Sequence, residues 1–142
     1  MRKVLVPVDG SDNALRALRH VIAEAASFRE PSCLVLVNVQ APVASGAVRM
    51  FIAPGQIDDF HREEGEASLA AARDLAASSG LAVEHHILVG DAAESIARIA
   101  RESGCQLIAM GTRGLGTVSG MMLGSVAHKV VHLSEVPVLL VR

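Results

Sequence analysis

The residues with the most chemical content lie between positions 111 and 125, where the chain reads Gly111-Thr112-Arg113-Gly114-Leu115-Gly116-Thr117-Val118-Ser119-Gly120-Met121-Met122-Leu123-Gly124-Ser125. Five glycines fall in this stretch, and it opens into a helical pattern. Glycine reaches positive φ and lets an anion approach the backbone amides closely. A helix start beyond it offers unpaired N–H groups and a partial positive charge. Arg113 adds a permanent charge in the same loop, and Ser125 can cap the helix or donate its hydroxyl to a phosphate oxygen. The chemistry such a pattern serves is the binding of a polyphosphate; the competing reading is a merely flexible connection.

The familiar phosphate loops do not fit. A Walker A loop needs Gly-Lys before the Ser or Thr, whereas Leu123 precedes Gly124-Ser125 and the next lysine is Lys129. The turn Val8-Asp9-Gly10-Ser11-Asp12 lacks the spaced glycines of a dinucleotide fingerprint, which disfavours NAD and FAD. Ser11 reads as a helix cap rather than a nucleophile, and no Ser-His-Asp or Cys-His arrangement can be argued from spacing.

Other titratable groups read as structural. His128 and His132 stand four apart on a predicted helix, a zinc-compatible spacing, but no Glu follows His128 and no third ligand is evident. His85 and His86 point to opposite faces of a strand, so they cannot share a metal and at least one faces solvent. The acids of Asp58-Asp59-Phe60-His61-Arg62-Glu63-Glu64 are expected at a helix start, where they complement the macrodipole and stay solvated. Cys33 and Cys105 lack a C-x-x-C partner and are expected as reduced core residues.

Positioning such a loop calls for a particular scaffold. Apolar runs at 4–8, 34–39, 107–110 and 136–141 predict buried strands, and 83–89 predicts a strand at an edge with one wet face. Helical periodicity covers 13–28, 58–79, 91–103 and 125–133, with Ala14, Leu15, Leu18, Val21, Ile22 and Ala25 inward on the first helix. On the third, Ala92, Ile96, Ile99 and Ala100 are expected inward, and on the last, Val126, Val130 and Leu133. Alternating strands and helices, with connections too long for hairpins, predict an α/β fold: a single, doubly wound, mainly parallel five-stranded sheet with helices on both faces. Ligands of such sheets bind at the carboxyl ends of the strands, where the winding reverses. The segment 41–55 is expected to be irregular, as a lid, a partner contact or a disordered stretch.

The 142 residues suit one domain, 1–142. With only three aromatic residues, all Phe, the core is expected to be aliphatic. A net charge of −2, no Lys/Arg cluster and no stacking platform argue against nucleic acid. No run reaches membrane-spanning length and no signal-peptide core is visible, so a cytoplasmic location away from membranes is expected.

The spacing of Gly111, Gly114 and Gly124-Ser125 resembles the nucleotide-binding pattern of ATP-binding universal stress proteins. The opening, Lys3-Val4-Leu5-Val6-Pro7-Val8-Asp9-Gly10-Ser11, is similar to that family's first strand and turn. The close, Gly124-Ser125-Val126-Ala127-His128-Lys129-Val130-Val131 followed by Val136-Pro137-Val138-Leu139-Leu140-Val141, is similar to its last helix and strand. The resemblance implies a Rossmann-like, HUP-type sheet of strand order 3-2-1-4-5. It implies Pro7, Val8, Asp9 and Val39 on the adenine and ribose side, continued by Met110 and Gly111, with Arg113, Gly114, Gly124, Ser125 and Val126 at the phosphates. It further implies ATP or another adenine nucleotide with Mg2+ at its phosphates, a stress-response role through an unknown protein partner, and a homodimer formed through the C-terminal strand. Residues 115–123 depart from many relatives in having no basic residue. A dedicated catalyst is not apparent; slow ATP hydrolysis and a nucleotide-free dimeric adaptor are the alternative readings.

Overall fold

Each central strand carries apolar side chains on both faces, and that double burial places helices above and below the sheet. The computed structural model describes residues 1–43, 46–115 and 122–142. Positions 116–121 of the glycine-rich stretch, and positions 44 and 45 of the segment 41–55, therefore lie outside the described residues. The element order is β1 (Arg2–Pro7), α1 (Asp12–Ala25), β2 (Ser32–Gln40), α2 (Gly46–Phe51), α3 (Pro54–Ala77), β3 (Ala82–Val89), α4 (Ala92–Glu102), β4 (Leu107–Gly111), α5 (Ser125–Leu133) and β5 (Val138–Val141).

All strand pairs are parallel, in the order β3-β2-β1-β4-β5. This is the doubly wound α/β sheet that the alternation predicts. Val4, Val6, Leu34, Leu36 and Ala109 point to one face, where α1 and α3 bury Ala14, Leu18, Val21, Leu69, Ala72 and Ala76 against them. Leu5, Val35, Val37, Ile108 and Met110 point to the other, covered by Ala93, Ile96 and Ala100 of α4 and Ala127 and Val130 of α5. Cys33 and Cys105 are both buried and free, as expected of small core residues.

The helix starts are set by short polar side chains. The Ala14 amide donates to Ser11 Oγ at 3.2 Å, making Ser11 the cap of α1, and the Glu94 amide donates to Asp91 Oδ2 at 3.0 Å at the start of α4. That amide, and then the Lys129 ammonium 3.1 Å away, hold the Asp91 carboxyl below its usual range. Lys3, whose Nζ lies 2.9 Å from Glu84 Oε1, does the same to Glu84. A depressed carboxyl stabilises the fold above its unfolded pKa, and the contribution is lost as the pH falls through the folded value. Thermal unfolding followed from about pH 6 down to about pH 2 is expected to show Asp91→Asn losing less stability than the wild type over the acid limb. An unchanged slope would remove Asp91 from the acid response.

Several sequence expectations are corrected. The segment 41–55 is not irregular throughout: α2 occupies Gly46–Phe51 and α3 already begins at Pro54, a residue that suits a helix's first turn. Consequently Asp58, Asp59, Glu63 and Glu64 lie beyond the first turn of α3, which contains no acid, and they do not complement its dipole. The first helix ends at Ala25 rather than 28, and β5 begins at Val138, after Pro137, which has no amide to give to a ladder. On α5, Val126 and Leu133 are 39% and 43% exposed rather than inward, because Ala127 and Val130 face the sheet. His85 is exposed on the edge strand β3, as its alternation suggested.

Candidate functional site

The winding reverses between β1 and β4. These neighbours pair at Val4 with Leu107 and at Leu5 with Ile108; past that point β1 turns to α1 on one face, while β4 leads to α5 on the other. The gap left between the departing chains is a cleft enclosing ≈ 160 Å³ at the carboxyl ends of the strands. A larger hollow of ≈ 580 Å³ lies on the flank between α3 and β3, away from these strand ends, and its Arg73 is paired to Glu66 at 2.6 Å.

All eleven residues singled out from the sequence line the cleft: Pro7, Val8, Asp9, Val39, Met110, Gly111, Arg113, Gly114, Gly124, Ser125 and Val126. Val8 and Met110 are 3% and 6% exposed and, with Val37, Val39 and Ile96, give one wall an aliphatic surface. The opposite wall is backbone and small polar groups from Thr112 to Leu115 and from Gly124 to Ser125.

Hydrogen bonds fix both walls. The Val8 amide donates to the Val37 carbonyl at 2.8 Å, extending β1's ladder by one residue, and Asn38 Nδ2 donates to the Val8 carbonyl at 2.8 Å. The Thr112 amide donates to the Val141 carbonyl at 3.0 Å, and the Gly124 amide to the Thr112 carbonyl at 2.6 Å, so the two ends of the glycine-rich stretch are tied together. From the first turn of α1, Asn13 Nδ2 donates to the Arg113 carbonyl at 3.0 Å. Asp9 Oδ1 accepts the Ser11 amide at 2.9 Å, and Asp9 Oδ2 accepts the Leu115 amide at 3.1 Å.

The glycines of the motif are steric requirements here. A Cβ on Gly111 would sit 2.8 Å from Asn13 Cβ, one on Gly114 would collide with Asp9 Oδ2, and one on Gly124 would lie 3.3 Å from the Thr112 carbonyl oxygen. Gly124, not Ser125, holds the cap position of α5, and Ser125 follows it as a lining residue of the cleft.

The cleft also includes Ser11, Ala14, Val37, Ala92, Ile96, Thr112, Leu115 and Ala127, which sequence reasoning did not single out as site residues. Val37 was recoverable, since it shares Val39's face two residues away. The contact between Asp9 and Leu115 joins positions 106 apart and has no local sequence signal. The remaining candidates stay apart from the cleft: His128 and His132 stack at 5.8 Å between ring centroids on α5, and among the described residues no group of three or more His, Cys, Asp or Glu could hold a metal ion. No helix of the described residues is long and apolar enough to cross a membrane.

A parallel sheet whose switch-point crevice joins an aliphatic wall to a glycine-and-amide wall marks the chain as a doubly wound α/β protein with a nucleotide-binding-related fold. Its sequence matches the Universal stress protein family over residues 1–142, and the chain belongs to that family. It is 35% identical to universal stress protein YxiE of Bacillus subtilis, over 99% of this chain and 98% of that protein. Among solved structures, that of protein MJ0577 of Methanocaldococcus jannaschii superposes with a TM-score of 0.85 at 29% identity, covering 99% of this chain and 94% of the other. A universal stress protein solved in complex with cAMP superposes with a TM-score of 0.67 at 29% identity, covering 99% and 96%.

Proposed function

We propose that this chain is a nucleotide-binding universal stress protein of the ATP-binding subgroup, acting as one regulatory domain in the cytoplasm. The observation that carries the reading is the convergence of the Gly111, Gly114 and Gly124-Ser125 pattern with Pro7, Val8, Asp9 and Val39 on one switch-point cleft. Val8, Val39 and Met110 offer an apolar slot for adenine, while the Arg113 guanidinium and the start of α5 suit phosphate. The cAMP bound by one structural relative supports an adenine nucleotide as the ligand.

Magnesium fits as a companion of the phosphates rather than as a resident ion. Among the described residues there is no three-ligand cluster, and Asp9, the one carboxylate lining the cleft, already accepts two backbone amides. Bound with a nucleotide, it would supply charge neutralisation. The outer edge of β5, half-buried along Val138–Val141 and last in the sheet order, supports a homodimer formed by strand pairing. An unidentified protein partner would read the nucleotide state.

Heating the purified protein and analysing what is released by mass spectrometry, together with calorimetric titration of MgATP, tests the reading. Adenine nucleotide is expected from at least one of the two, and Gly124→Val is expected to weaken binding about tenfold by placing branches against the Thr112 carbonyl. No released nucleotide and no binding of any adenine nucleotide would favour the adaptor; steady ATP turnover at enzymatic rates would favour a hydrolase.

A further inference from the structure

Asp9, which the family resemblance puts on the adenine and ribose side, reaches across the cleft to the backbone of the opposite, phosphate-side wall. Asp9 Oδ2 accepts the Leu115 amide, and the absent side chain of Gly114 is what lets the carboxylate reach that position. The same carboxylate is held from behind by the Ser11 amide, so its place is fixed by two donors. Charge is scarce around it. Of the described lining residues only Asp9 and Arg113 are charged, one of each sign, and the sequence has no Lys or Arg from Gly114 to His128. A phosphate chain entering this wall therefore meets one guanidinium and one like charge.

We propose that Asp9 is a specificity-determining residue: it acts as a resident counter-anion on the 112–115 segment and makes the cleft favour adenine nucleotides of low phosphate charge, a cyclic monophosphate or a monoester, over metal-free triphosphate. The proposal rests on the adenine-nucleotide reading above. An additional charge about 4 Å from a carboxylate changes affinity by roughly sixfold under full screening by water and by more at the lower effective dielectric of a protein surface, so about tenfold is expected at this open cleft. A ligand carrying fewer charges gives up less of its binding to this repulsion, and its sugar and base still gain the aliphatic wall.

The experiment is a calorimetric titration of cyclic AMP, AMP, metal-free ATP and inorganic tripolyphosphate into the wild type, Asp9→Asn and Asp9→Ala at constant ionic strength. The wild type is expected to bind cyclic AMP about tenfold more tightly than metal-free ATP. In both variants tripolyphosphate and ATP are expected to tighten about tenfold while cyclic AMP holds or weakens, so the ligands move in opposite directions. Hydrogen exchange of the Leu115 amide in the ligand-free protein is expected to accelerate in Asp9→Ala, a readout that needs no nucleotide.

If the variants lose all four ligands by one common factor, Asp9 is an ordinary ligand contact and the proposal is overturned. It is equally overturned if the wild type prefers metal-free ATP, or if Leu115 exchange is unchanged. Failure of every adenine ligand to bind wild type and variants alike sinks the nucleotide reading itself, and the proposal with it. A thermal melt of each variant separates these outcomes from a failure to fold, and the asparagine keeps the shape of the carboxylate if the alanine does not fold.

Discussion

Replacing Gly111 with valine is expected to lower the unfolding free energy by about 3 kcal/mol and to weaken nucleotide binding at least about tenfold. The reason is what stands over the position. A Cβ there would lie 2.8 Å from Asn13 Cβ and 3.0 Å from both the carbonyl carbon and oxygen of Asn13, so the first turn of α1 is in the way. Backbone cannot swing aside as a side-chain tip can; the helix must lift from β4. Lifting it stretches the bond from Asn13 Nδ2 to the Arg113 carbonyl, which holds the wall of the cleft. Stability and binding should therefore fall together, measured by denaturant unfolding and calorimetry. A variant that unfolds like the wild type would show that α1 is not seated directly on Gly111, and one that is destabilised yet binds normally would separate the helix seat from the cleft.

Gly65→Val is the second large effect, expected to cost about 2–3 kcal/mol, or roughly 10 °C in melting temperature, with nucleotide binding unchanged in the folded protein. Gly65 is buried in the middle of α3, where glycine is ordinarily a poor helix residue. Its place is explained by β3: a Cβ would meet Ile87 Cγ2 at 2.6 Å and Ile87 Cγ1 and Cδ1 at 2.9 Å. Here the obstacle is a side chain, so shortening it should help. The double variant Gly65→Val with Ile87→Ala is expected to recover at least half of the loss, a coupling readable in a double-mutant cycle. Losses that simply add would mean that the helix is displaced by something other than Ile87.

The contrast between the two glycines shows why a steric reading of the structure adds to the motif. In sequence, Gly111 belongs to a phosphate pattern and Gly65 to no pattern at all. In three dimensions both are contact points where a helix lies directly on the sheet, and only the first also shapes the cleft. The same double duty falls to Asp9 in the turn after β1 and Asn13 in the first turn of α1, which both hold the loop after β4.

The amino-acid sequence by itself determined the strands and most of the helices, because buried parallel strands are continuous aliphatic runs and the covering helices repeat their small and apolar residues at helical spacing. Val4–Leu5–Val6 and Leu34–Val35–Leu36–Val37 carry that signal without ambiguity; the glycine spacing marked the phosphate loop, and the family resemblance it supports nominated eleven of the residues that line the cleft. Helix ends were less legible: α3 starts at Pro54 rather than 58, because the stretch before its amphipathic face is exposed and carries no burial period. Tertiary structure alone decided that Val126 and Leu133 face outward, that α1 presses on Gly111, and that Asp9 reaches the Leu115 amide. Those facts depend on how far apart two chain segments lie in space after winding, and a contact across 106 positions leaves no periodicity in the residues between.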